Sequence, residues 1–152
     1  MVISKRGLEL IKSFEGCRLS AYRDSVGVLT IGYGHTSGVT EGEVISKEKA
    51  DALLLEDIDR YERNVMSWNY IYNWSQNEFD ALVSFAFNIG SIDQLVGLGK
   101  RDKSVIADKM LMYCHAGGNV LAGLKKRREV ERALFLDGGS LSNECIVSIG
   151  GK

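Results

Sequence analysis

The sequence predicts an α+β fold, mostly helical, with one small antiparallel sheet near the N-terminus. Three observations carry this expectation. Apolar residues recur at helical spacing in five separated stretches. One segment alone, residues 28–34, alternates with period two, as a strand does. Seventeen glycines and no proline separate these stretches, so turns depend on backbone freedom and not on a fixed φ. At 152 residues the chain suits a single compact domain that buries roughly 70% of its unfolded surface.

The first helix is expected to start after Ser4, a good N-cap, and to run to Glu15, with Leu8, Ile11 and Phe14 on one face and Gly16 as the stop. Between residues 19 and 40 the helical period is lost. Val28, Thr30, Gly32 and Gly34 alternate with Leu29, Ile31 and Tyr33, and Asp24-Ser25-Val26-Gly27 and Ser37-Gly38 have turn chemistry. Two or three half-buried strands are expected, too few to be stable unless they pack on helices. A long helix follows, capped by Ser46 and ending near Met66, with Ala50, Leu53, Leu54, Ile58, Tyr61 and Val65 as its apolar stripe. It would span about 30 Å, enough to separate two lobes.

Ser75-Gln76-Asn77-Glu78 has the form of a capping box, and the apolar helix it opens, ended by Gly90, should be central to a helical core. Residues 91–103 read as a polar, glycine-bearing loop with at most one helical turn. Asp102 or Ser104 should cap a helix reaching His115, packed through Val105, Ile106, Lys109, Met110 and Tyr113, before Ala116-Gly117-Gly118-Asn119 breaks it. A last helix is expected from Leu124 to Leu136, with Val130, Ala133 and Leu134 inside and Lys125, Lys126, Arg127 and Arg128 exposed near its start. Cations there oppose the helix dipole, so some should meet carboxylates or a ligand. Residues 138–152 read as a weakly ordered tail.

Composition excludes several function classes. No apolar run approaches the ~18 residues of a membrane span. The first sixteen residues mix apolar and charged side chains and lack a signal-peptide core, so synthesis and folding in the cytoplasm are expected, with export needing outside help. Cys17, Cys114 and Cys145 fit neither a disulfide framework nor a zinc site. Cys17 as a nucleophile would need a base, for which only His35 and His115 exist, and free thiols are the reading adopted. The net charge of −1 hides an asymmetry, with 10 acidic and 4 basic residues over 41–80 against 5 and 9 over 100–137. That basic stretch is too mixed for a nucleic-acid footprint and suits a solvated helix face or a weakly acidic polymer.

The densest grouping of carboxylate, hydroxyl and turn glycine runs from Phe14 to Thr36, FEGCRLSAYRDSVGVLTIGYGHT. Glycoside hydrolysis needs one carboxyl to protonate the leaving oxygen and one ionised carboxylate for the oxocarbenium-like state or its attacking water. Glu15, at a helix end beside apolar Phe14, suits the first task, and Asp24, in a solvated turn, the second. Thr30 offers a hydroxyl to hold the water. A helix C-terminus is an uncomfortable place for a carboxylate, which favours a functional Glu15 over a structural one.

The spacing of Glu15, Asp24 and Thr30, with the GYGHT that follows, resembles the signature of the phage-type lysozymes, or endolysins, of glycoside hydrolase family 24. The stretch from Gln76 to Gly90 is similar to that family's central helix, and Gly123-Leu124 through Arg127-Arg128, Glu131 and Leu134 to its closing helix. The resemblance covers residues 3–137 and implies a lysozyme-like fold in which a glycan strand lies between two lobes. The small lobe would hold residues 14–50, the helical lobe residues 67–137 with helix 1–15, and helix 47–66 would link them. It implies cleavage of the β-1,4 bond between N-acetylmuramic acid and N-acetylglucosamine in peptidoglycan. Glu15 would be the general acid, with Asp24 and Thr30 activating a water and inverting the anomeric centre. Inversion would place the carboxyls about 6.5–9.5 Å apart, against about 5–5.5 Å for retention.

No metal or organic cofactor is expected, nor nucleic acid or membrane insertion; the partner is the bacterial glycan strand, and the chain is expected to be a monomer. Ser84, Asn88 and Arg127 are candidates for contact with the sugar, and Arg127 is also a candidate partner for Glu15. His35 is expected to be structural, tying a strand to a helix. The resemblance places synthesis in the bacterial host cytoplasm and action at the wall, after release by a holin or a secretion machine, for phage release or against rival cells. A domain that binds glycan without cutting it is the alternative from another class. The loop after Gly90, the stretch 111–116 and the tail depart from the family's pattern.

Overall fold

The computed structural model describes residues 1–138, so the expected tail, apart from Gly138, lies outside the described residues, and Cys145 with it. The element order is α1 (Lys5–Glu15), β1 (Arg18–Arg23), β2 (Leu29–Gly32), α2 (Lys47–Met66), α3 (Asn69–Tyr72), α4 (Gln76–Ile89), α5 (Lys103–Met110), β3 (His115–Ala116), β4 (Asn119–Val120) and α6 (Ala122–Leu136). This is the mostly helical α+β fold that periodicity predicts. The chain divides into two compact units, Glu15–Asp59 and Met1–Phe14 with the residues from Arg60 onward.

In the smaller unit β1 and β2 pair antiparallel, with Tyr22 opposite Thr30 and Arg23 opposite Leu29. The register slips between Arg18 and Tyr22, and the irregular part of β1 turns its backbone to residues 43–45. There Ala21 N donates to Glu43 O at 2.8 Å and Ile45 N to Leu19 O at 2.9 Å. The alternation expected over residues 28–34 is shorter than read. Gly32 and Gly34 are left-handed, at φ 67° and 84°, so the chain folds back and Ile31 and His35 exchange both backbone hydrogen bonds. Thr30, Ile31, Gly32 and Tyr33 are all buried in succession, because the strand ends under the first half of α2. Ala50, Leu53, Leu54 and Ile58 of that half are buried in turn, and Ser46 caps it by accepting from Lys49 N at 3.0 Å.

The larger unit is built around α4, whose capping box is present as read, with Ser75 accepting from Glu78 N and Glu78 accepting from Ser75 N. Every residue from Phe79 to Ala86 is buried. Buried Asp80 receives Ser4 N at 3.0 Å, the Ser4 hydroxyl and Gln76 Nε2 at 2.8 Å, so a side chain of α4 holds the start of α1. The two helices approach so closely that a β-carbon at Gly7 would lie 2.8 Å from the Asp80 side chain. Trp74 stacks on Tyr72 at 4.5 Å and meets Phe135 edge-on, which attaches the short α3, unforeseen from the sequence, to the end of α6.

Three expectations for this unit need correction. Residues 91–103 are not a polar surface loop, because Ile92, Leu95 and Val96 are fully buried. Asn64 and Trp68 hold the loop through Asp93 and the Ile92 amide at 2.8–2.9 Å, and Tyr72 Oη reaches Arg101 O at 2.7 Å. Helix α5, capped by Asp102, ends at Met110, with Val105 outward. Gly117 and Gly118, both with positive φ, then close the β3–β4 hairpin, the arrangement a two-residue type I′ turn demands.

The third correction concerns the cations of α6. Arg127 and Arg128 are buried, and so is Glu131 between them. Glu131 Oε2 accepts from Arg127 Nε at 3.1 Å and from Ser84 Oγ at 2.6 Å. Arg128 Nε lies 2.9 Å from Glu131 Oε1 without a hydrogen bond between those two atoms, while Arg128 Nη2 donates to Glu131 Oε2 at 3.5 Å. The Arg128 guanidinium lies 4.8 Å over the Phe85 ring, and its Nη2 donates to Asn88 Oδ1 at 2.7 Å. Burial pulls Arg128 below the ordinary arginine value, and the Glu131 carboxylate opposes that shift.

Two stability measurements follow from these contacts. Glu131→Ala leaves two buried guanidinium groups without their shared carboxylate and is expected to cost about 3–5 kcal/mol in urea unfolding. Leu98 sits at φ 54°, left-handed and 70% exposed. Leu98→Asn should therefore raise stability by about 1 kcal/mol, since asparagine tolerates this backbone region and little burial is lost.

Candidate active site

The smaller unit holds Glu15, Asp24, Thr30 and His35 together. Glu15 is the last residue of α1, and Gly16, at φ 69°, turns the chain out of the helix. Its half-buried carboxylate lies against a second left-handed glycine, for a β-carbon at Gly34 would be 3.4 Å from Glu15 Oε1. A side chain at residue 34 would be strained by its φ of 84°, although its β-carbon would meet the Glu15 carboxylate only at ordinary contact distance.

Asp24 begins the turn between β1 and β2 and is held by its own loop. Its Oδ1 accepts from Val26 N at 3.0 Å and from Val28 N at 2.8 Å, and its backbone N–H donates to Val28 O at 2.9 Å. One carboxylate oxygen is thus committed to backbone, which fixes the side-chain angle and leaves Oδ2 open to a further partner. Thr30, on β2, is buried, and its hydroxyl donates to the same Val28 carbonyl at 2.9 Å. With its proton engaged there, Thr30 Oγ1 can only accept a hydrogen bond from a further group. The backbone of Val28 therefore connects the two residues, a link that spacing does not reveal because it is made by main chain.

His35 lies just beyond, with Nδ1 2.9 Å from Asp57 Oδ2 and Nε2 2.8 Å from Ser37 O. Both ring nitrogens face acceptors, and the ring ties the tight turn after β2 to α2. Asp57 was not anticipated as the partner; its place on the polar face of a helix carries no local signal. Tyr33 closes the floor of the turn, its hydroxyl meeting Lys47 Nζ, a bond that raises the Lys47 value.

The candidates in the larger unit are placed differently. Ser84 is fully buried, with its hydroxyl on Glu131, and so has no surface to offer a sugar. Arg127 donates to Glu131 and, at 3.0 Å, to Ser84 O, with its guanidinium 4.9 Å over the ring of Phe14. Asn88 is exposed and accepts from Arg128. The arginine–glutamate spacing of three and four residues was the sequence signal for this cluster. Among the described residues no group of three or more His, Cys, Asp or Glu could hold a metal ion, and no helix is long and apolar enough to cross a membrane. Cys17 is exposed and Cys114 buried, both as thiols.

Comparison with known proteins gives a consistent result. The family model described as phage lysozyme matches residues 12–131. The endolysin of Bacillus phage B103 is 43% identical over 150 residues, which is 92% of this chain. The chain spans only 56% of that relative's length, and 60% of the length of the endolysin of Lactococcus phage c2. Among solved structures, the muramidase domain of SpmX from Asticaccaulis excentricus is 40% identical with a TM-score of 0.74, covering 90% of this chain and 98% of that one. The active form of the P1 phage endolysin Lyz is 30% identical with a TM-score of 0.80, covering 88% and 84%. With Glu15, Asp24 and Thr30 on the turn-rich sheet and on the helix end that enters it, and with most of its length matched, the chain belongs to the phage lysozyme family.

Proposed function

We propose that this chain is a peptidoglycan hydrolase that cleaves the β-1,4 bond between N-acetylmuramic acid and N-acetylglucosamine. The observation that carries the reading is the Val28 backbone, whose N–H holds an Asp24 oxygen and whose carbonyl holds the Thr30 hydroxyl, in the unit that also holds Glu15. Preorganised groups of this kind stabilise developing charge without having to rearrange during reaction.

In the reaction Glu15 donates a proton to the glycosidic oxygen as the bond to the anomeric carbon breaks. A water forms the new bond from the opposite face. Thr30 Oγ1 accepts one hydrogen bond from that water, and Asp24 Oδ2 takes its other proton. Because the Thr30 hydroxyl proton is held by Val28 O, the threonine orients the water and does not compete for the sugar as a donor. The anomeric centre inverts. Gly34 supplies the left-handed backbone of the turn beside the Glu15 carboxylate, and the His35–Asp57 pair holds that turn. The substrate is the glycan strand of the bacterial wall, reached after synthesis in the host cytoplasm through a pore or secretion machine supplied by others, and the chain acts as a monomer to release phage.

Turbidity loss of purified peptidoglycan tests the assignment. Glu15→Gln keeps shape but delivers no proton, so the rate should fall by about 10²- to 10⁴-fold while the protein still sediments with the wall. Clearing by the variant at the wild-type rate would show that Glu15 is not the acid, and sedimentation without clearing by either protein would mark a glycan-binding module. Thr30→Ser should retain most of the rate that Thr30→Val loses, since only the hydroxyl is needed. Gly34→Ala should lower kcat more than it raises KM, because the strain of a side chain at this φ falls on the turn beside the acid and not on the substrate.

A further inference from the structure

Away from these residues, in the larger unit, a cavity of about 250 Å³ is lined by Gln94, Arg101, Lys109, Met112 and Tyr113. Two of the five are cations and none is an acid. Arg101 Nη1 donates to the carbonyl oxygens of Gln94 at 3.3 Å and Leu95 at 3.0 Å, which fixes the plane of the guanidinium while its Nε and Nη2 take no acceptor among the described residues. Lys109 Nζ has only the sulfur of Met112, at 3.7 Å, a weak acceptor that leaves most of the ammonium's capacity unused. The Tyr113 ring is set by an edge-on contact with Phe85 at 5.0 Å. Elsewhere on this unit Lys103 is paired with Glu78, Arg132 with Asp108 and Arg128 with Glu131.

We propose that this cavity is an oxyanion site, which takes a phosphate or carboxylate group between Arg101 and Lys109. A lysine in the last turn of α5 would favour the helix dipole wherever its ammonium pointed. Its convergence with an arginine whose plane is fixed, on a cavity without acids, is what that dipole does not explain. A fixed guanidinium plane presents parallel N–H groups to two oxygens, and the ammonium adds a movable point charge. The amide of Gln94 and the hydroxyl of Tyr113 supply neutral donors. Identification of the ligand with the cell wall rests on the hydrolase reading, since wall polymers carry carboxylates on their peptides and phosphodiesters on their secondary chains; the site itself does not depend on it.

Nuclear magnetic resonance titration of the whole chain at constant ionic strength tests the site. The probes are inorganic phosphate, poly(glycerol phosphate) and N-acetyl-D-alanyl-D-alanine. Saturable shifts confined to Gln94, Arg101, Lys109 and Tyr113 are expected, with binding about tenfold weaker in Lys109→Gln. Saturation by phosphate and its polymer assigns the site to phosphodiesters, and saturation by the dipeptide assigns it to carboxylates. No saturable shift with any probe, or an unchanged affinity in both Lys109→Gln and the folded Arg101→Gln variant, would overturn the proposal. Binding by a protein that fails to clear peptidoglycan would instead overturn the hydrolase reading and leave the site standing.

Discussion

One buried carboxylate, Glu131, ties together the helices of the larger unit. Glu131 stands between two guanidinium groups taken out of water, and such charges are tolerated only where opposite charge and hydrogen bonds replace the lost solvent. Arg127 and Arg128 together carry one more charge than Glu131 balances, and aromatic faces answer part of the excess, Phe14 under Arg127 and Phe85 under Arg128. Helices α1, α4 and α6 are thereby joined through one polar cluster. Phe14 directly precedes Glu15, so the last turn of α1, from which the candidate acid extends, is held by the packing of the helical core.

The smaller unit follows a different principle. It has few buried side chains and only short strands, and it is made rigid by main-chain hydrogen bonds and by side chains that bond to main chain. Asp24 takes two amides of its own turn, Thr30 gives its proton to a carbonyl of the same turn, and His35 fastens the following turn to Asp57. This is how a segment that cannot pack a core still holds polar groups in one orientation. The same bonds divide the oxygens into those committed to backbone, which position the residue, and those left over, which are open to a further partner.

Residues 91–103 bring both themes together. Their composition is polar and glycine-bearing, yet three aliphatic side chains fill the core while Asn64 and Tyr72 bond to the loop backbone and Trp68 holds the Asp93 side chain. Fixing the loop in this way also fixes Arg101, whose Nη1 is bound to two carbonyls. An arginine held like this has already lost much of its side-chain freedom, which lowers the further entropy cost of gripping an anion.

The sequence by itself determined most of the elements and the grouping of the candidate site. Helical periodicity, the capping box at Ser75 and the turn residues around Asp24 are local signals, and local backbone preference and hydrophobic patterning enforce them. The grouping of Glu15, Asp24 and Thr30 was legible for the same reason, as all three lie within sixteen residues. Only the tertiary structure decided what depended on distant partners. It decided that Arg127, Arg128 and Ser84 go inward to Glu131, that Ile92, Leu95 and Val96 turn a polar loop into core, and that Asp57 receives His35. It also ended β2 at Gly32, where a left-handed backbone cuts an alternating pattern short. A side chain's burial is settled by what packs over it, and a main-chain link such as Val28 carries no residue type by which it could be recognised.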